Sequence, residues 1–129
     1  MGVGDRYHLL PGSAFETEFG SDYDLALVPN FLHHFDAPTC TSFLIKLRAA
    51  LMPGGRVAIA ELIPNADRVT PHTAAAFSMM MLVTTPAGDA YTLGELESIL
   101  KSAGFARVEL AKTEIGIDRL LICYRESTE

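Results

Sequence analysis

The sequence lacks several things, and each absence removes a class of function. No run of lysine and arginine occurs, and the formal net charge over 129 residues is −6. Phosphate backbones are held by clustered positive charge, so no nucleic-acid partner is expected. No stretch of about 18 apolar residues is present, so no spanning helix and no membrane partner are expected. Met1-Gly2-Val3-Gly4-Asp5-Arg6 has no apolar signal core. There are only two cysteines, Cys40 and Cys123, far apart and without metal-ligand spacing. They read as reduced, buried small hydrophobes of a cytoplasmic protein, and no metal site is expected. No repeat, low-complexity segment or linker divides the chain, which reads as one domain, 1–129.

What is present is ordinary globular composition, 49% apolar and 20% charged. It is organised around Asp22-Tyr23-Asp24-Leu25-Ala26-Leu27-Val28-Pro29-Asn30-Phe31-Leu32-His33-His34-Phe35-Asp36. The continuous apolar run Leu25 to Val28 predicts a strand buried on both faces, as in a parallel sheet. Pro29 cannot donate to a ladder and should end it. Asn30, His33, His34 and Asp36 cluster just past that end, where open α/β sheets place their ligands.

The remainder reads as strands alternating with helices. Tyr7 to Leu10 is a plausible strand, closed by Pro11-Gly12-Ser13; Ala14 to Gly20 suits a single helical turn. Asp36 should cap a helix from Ala37 to Leu51, with Pro38 tolerated in its first turn. Met52-Pro53-Gly54-Gly55 should end that helix. Arg56 to Leu62 reads as a second buried strand. Thr70-Pro71 signals a helix start, with Thr70 as cap, running to about Val83. Thr92 and Glu95 fit a capping box, and Gly104 sits where a left-handed C-cap belongs. Val108 to Leu110 and Arg119 to Tyr124 suit an antiparallel hairpin joined through Glu114 to Asp118. The expectation is an α/β fold: a mostly parallel sheet, helices on both faces, a C-terminal antiparallel hairpin.

Four segments resemble the C-terminal portion of class I S-adenosylmethionine-dependent methyltransferases, particularly O-methyltransferases. They are Tyr23-Asp24-Leu25-Ala26-Leu27 with Leu32-His33-His34-Phe35; Ala49 to Val57 through Pro53-Gly54-Gly55; Gly88-Asp89-Ala90-Tyr91-Thr92 with Glu95; and Ala103-Gly104-Phe105. Together they span about Tyr7 to Tyr124. The family's acidic-Gly-x-Gly-x-Gly loop and its ribose-binding acid have no counterpart. The chain therefore reads as half of a methyltransferase, a partial Rossmann-like sheet starting just before the family's third strand.

The resemblance implies S-adenosylmethionine as cofactor, with weak or absent binding by this chain alone, and a small-molecule hydroxyl as substrate. It casts His33 as the catalytic base that deprotonates that hydroxyl, a task suited to an imidazole. The structural alternative is a loop histidine bonded to backbone. His34 would orient the loop or touch substrate. Gly12 and Ser13 match the residues flanking the adenine, and Pro29 and Asn30 the strand end at the methionine part; turn residues and a strand stop are the plainer reading. Glu61 matches a carboxylate that steers the base in some relatives, and is otherwise a solvated or capping group. Among Met79, Met80 and Met81, Met80 is placed at the substrate and at least one of the three in the core. Asp89 and Tyr91 would touch substrate or, on the plainer reading, serve as loop packing. A second function class stays open: a non-catalytic remnant acting as a binding or assembly module. With its sheet partners missing, Leu25 to Val28 would be an apolar edge; a homodimer is expected even if Tyr7 to Leu10 docks beside it, because the helix faces would stay uncovered.

Overall fold

In the computed structural model, which describes residues 2–112 and 116–127, the central apolar run forms strand β1, Tyr23–Pro29. A one-turn 3-10 helix, Leu32–His34, follows at once. The Asp36 carboxylate then accepts the Thr39 N–H at 2.9 Å and starts α1, Ala37–Ala50, with Pro38 in its first turn as expected. Strand β2, Leu51–Glu61, returns parallel to β1. Its register jumps from Tyr23↔Leu51 to Leu25↔Arg56. The Met52-Pro53-Gly54-Gly55 turn is thus a bulge inside the strand, not a separate connector.

Helix α2 is His72–Thr84 and α3 is Leu93–Ser102. Strands β3, Arg107–Leu110, and β4, Arg119–Tyr124, complete the sheet in the order β1-β2-β4-β3. Only β1 and β2 are parallel; β2–β4 and β3–β4 are antiparallel. The sheet is therefore mixed, not mostly parallel. The reason is topological: β4 turns back from β3 and inserts next to β2. The Glu114 end of the hairpin connection lies outside the described residues.

Alternation along the strands settles where the core lies. Val28, Val57, Ile59, Leu121 and Cys123 share one face and pack with Cys40, Phe43 and Leu44 of α1 and with Leu96, Ile99 and Leu100 of α3. The opposite face is open along β1, where Leu25 and Leu27 are 42% and 71% exposed. The expectations of a strand buried on both faces and of helices covering both sides fail here. Two further expectations fail. Tyr7 to Leu10 is exposed coil, since no strand pairs with it. Thr70 does not cap α2: its hydroxyl donates to the Asp67 carboxylate at 2.7 Å, and Pro71 precedes the first helical residue. The Thr92–Glu95 capping box is present, with both bonds at 3.3 Å, and Gly104 takes the left-handed φ of 95°.

Candidate active site

Two parallel neighbours end side by side, and their register Pro29↔Ala60 puts the next residues of both strands at one sheet end. Glu61 is the last residue of β2; His33 lies in the 3-10 turn just beyond β1. The two meet in the interior, only 3% and 6% exposed, with His33 Nδ1 at 2.6 Å from Glu61 Oε2. The other oxygen, Glu61 Oε1, accepts the backbone N–H of Leu32 at 2.9 Å and of His33 at 3.4 Å. A carboxylate only accepts, so Nδ1 carries a proton, and in the neutral imidazole the lone pair is on Nε2. Glu61 thereby fixes both the tautomer and the turn.

Around this pair, the Phe77 ring of α2 stands edge-on to the His33 ring, centroids 4.7 Å apart at 88°. The exposed His34 ring lies 4.3 Å from His33 on another side. Phe77 was not among the sequence candidates. Its signal was available, because it shares one helical face with the buried Ala74 and Met81 at spacings of three and four residues. Met80 is 55% exposed, and Met81 is the methionine that joins the core. Asp89 and Tyr91 act on the backbone of the His33 loop. The Asp89 N–H donates to His33 O at 3.0 Å, and the Tyr91 hydroxyl donates to Phe35 O at 2.5 Å. The Cys40 thiol donates to Leu32 O at 3.2 Å; burial, with the Glu61 and Asp36 charges, pushes its pKa up to about 12, so it is a donor and not a nucleophile.

The four residues placed at the cofactor are exposed, and the Asn30 N–H donates to Ala60 O at 2.8 Å, next to Glu61. Phe15 packs against Phe31 at 6.1 Å, bringing the Gly12-Ser13 segment alongside the Pro29-Asn30 strand end. Ser13 Oγ accepts the Phe15 N–H at 3.2 Å, and the Asn30 amide donates to Asp118 at 3.2 Å. Pro29 also borders an apolar groove of about 330 Å³ with Phe19, Leu27 and Phe31. Together they form one open wall. Among the described residues no group of three potential metal ligands exists.

A buried imidazole–carboxylate pair thus stands at the carboxyl ends of two parallel strands. The O-methyltransferase domain matches residues 3–106. The chain belongs to this family. A 3-amino-4-hydroxybenzoate 4-O-methyltransferase from Streptomyces cremeus is 34% identical over 79% of this chain and 27% of its own length. The crystal structure of a Nostoc punctiforme protein described as an O-methyltransferase is 50% identical, with TM-score 0.93, over 96% of this chain and 38% of that one. Human N-acetylserotonin methyltransferase, solved with S-adenosylmethionine, is 26% identical, with TM-score 0.82, over 90% of this chain and 33% of its own. S-adenosylmethionine is the cofactor of the family, whose members methylate small molecules. The chain spans 26% to 36% of the length of the curated relatives it matches. No helix among the described residues is long and apolar enough to cross a membrane.

Proposed function

We propose that this chain carries the base-bearing half of an S-adenosylmethionine-dependent O-methyltransferase site acting on a small-molecule hydroxyl. The observation that carries the reading is the 2.6 Å contact between His33 and Glu61, both buried. With Nδ1–H committed to Glu61, Nε2 of His33 takes the hydroxyl proton, and the Glu61 carboxylate stabilises the imidazolium that results. S-adenosylmethionine, when bound, supplies a methyl group on a positively charged sulfur. Phe77 walls the imidazole on one side and restricts water, which strengthens the His33–Glu61 interaction. Pro29, Asn30, Gly12 and Ser13 would form one wall for the cofactor.

The acceptor best matched to an imidazole base is a phenol. A phenol near pKa 10 lies roughly 3.5 units above a model imidazole, about 5 kcal/mol uphill for full transfer. An alcohol close to water's value of about 15.7 lies far beyond that. The hydroxybenzoate named for the Streptomyces relative fits this class.

The test is methyl transfer from labelled S-adenosylmethionine to a panel of phenols, with calorimetry of cofactor binding alongside. His33→Ala is expected to lower turnover about 10²–10⁴-fold, and His34→Ala far less. Equal small effects of both substitutions would remove His33 as the base. Cofactor binding by the 129-residue chain is expected to be weak, because only one wall is present; low-micromolar affinity would contradict that. A second reading, a binding or assembly module, is favoured by one observation: the exposed Leu25 and Leu27 on an edge strand. Self-association as a homodimer belongs with either reading.

A further inference from the structure

The turn that carries His33 is a single 3-10 turn, a form with poor internal hydrogen-bond geometry. Its own bonds are His34 N–H to Phe31 O at 3.3 Å and Phe35 N–H to Leu32 O at 3.1 Å. Yet the Nδ1–Glu61 contact of 2.6 Å survives only small displacements of the ring. The turn must therefore be held from outside: Glu61 Oε1 holds its N–H groups at Leu32 and His33, and other groups hold its carbonyls. The segment before α3 lies against it as closely as backbone can: a Cβ added at Gly88 would clash with His33 O. Next to Gly88, the Asp89 N–H holds His33 O. Two residues on, the Tyr91 hydroxyl holds Phe35 O, the exit of the turn. Tyr91 also lies beside Cys40, whose thiol holds Leu32 O, the entry.

We propose that Tyr91 is a positioning residue for His33. Its hydroxyl pins the Phe35 carbonyl, the pinned carbonyl fixes the turn, and the turn aims Nδ1–H at Glu61. Tyr91 and Cys40 are the members of this set that act through side chains, Tyr91 at the exit of the turn and Cys40 at its entry; Asp89 acts through backbone, and Gly88 through having no side chain. Burial raises the Tyr91 phenol above its ordinary value, with the Cys40, Asp89, Asp36 and Glu95 charges adding to the effect. The hydroxyl is consequently a donor throughout the neutral range. The significance of the proposal for catalysis rests on His33 being the base; the geometric claim does not.

The test is imidazole nitrogen NMR on the uniformly ¹⁵N-labelled chain, without cofactor or substrate. The unaltered chain is expected to show His33 as one tautomer, protonated at Nδ1, with a downfield Nδ1–H signal. Tyr91→Phe removes one oxygen and is expected to lose that signal and mix the tautomers, while exchange of the Asp89 amide speeds up several-fold. Tyr91→Met is a second variant that lacks the hydroxyl and fills the space with an adaptable apolar chain. Either folded variant decides the matter. Thr92→Ala, which weakens α3 without touching the turn, should melt lower and keep the Nδ1–H signal. An unchanged tautomer and Nδ1–H shift in a folded Tyr91 variant would overturn the proposal. Loss of the signal together with an activity indifferent to His33→Ala would support the role of Tyr91 and sink His33 as the base instead.

Discussion

His33 and Glu61 form a unit in which neither residue's role stands alone. Glu61→Gln shows why. The glutamine oxygen can still accept the Leu32 N–H, but its amide would then face the imidazole with a donor. His33 would have to present a lone pair at Nδ1 and carry its proton on Nε2, the wrong end for a base. Activity is expected to fall about 10²–10⁴-fold, the range for loss of general-base catalysis, although the histidine is intact. Imidazole NMR checks the tautomer and kinetics checks the rate. Both residues were legible in the sequence as polar groups at the ends of apolar runs. Their contact was implied only by the family resemblance; the residues alone do not show it, because it depends on parallel pairing that brings Pro29 beside Ala60. Tyr91 was read as packing, since a hydrogen bond to a carbonyl 56 positions earlier leaves no periodic trace.

The two cysteines give a second prediction at this scale. Burial pushes both thiols from 9.0 up to about 12. The folded state keeps these protons over a range where the unfolded chain releases them. Stability therefore is fully present below about pH 9 and declines as pH rises towards 12. The urea midpoint is expected to drop progressively over that range. Replacing Cys40 and Cys123 by alanine should lower the midpoint at neutral pH and flatten its alkaline decline. An equally steep decline in the double variant would show that the thiols are not its source.

At the scale of elements, local signals were reliable where the chain satisfies its own backbone. Asp36, the Thr92–Glu95 box and Gly104 do what their types predict, because caps act within four residues. Thr92→Ala is expected to destabilise by about 1 kcal/mol, read as a lower urea midpoint with little change in slope. Thr70 has the same chemistry and a different outcome. Asp67 offers its hydroxyl a partner three residues back, and the loop claims it before the helix can. Strands were less legible. Tyr7 to Leu10 has strand composition but no neighbour to pair with, whereas β4 gains its place by inserting between β2 and β3.

For the whole molecule, the apolar surface left uncovered is the dominant fact. β1 is an edge strand whose open face exposes Leu25 and Leu27. Helix α2 is apolar nearly all round, yet only Ala74 and Met81 are buried, leaving Met79, Met80, Leu82 and Val83 in solvent. A helix of that composition is normally enclosed. An apolar edge with unpaired N–H and C=O groups recruits another strand, and contiguous apolar patches of this kind mark association sites. Tyr7 to Leu10 does not relieve the edge, because it remains exposed coil. Self-association at micromolar concentration is therefore expected, read by sedimentation or light scattering against the 14.0 kDa chain mass. Leu27→Lys places a charge on the edge, the device by which natural sheets discourage pairing, at a side chain the core does not need. It should shift the population towards monomer with an unchanged circular dichroism spectrum. A cooperative, folded monomer from the unaltered chain would show that β1 and α2 tolerate solvent as they stand.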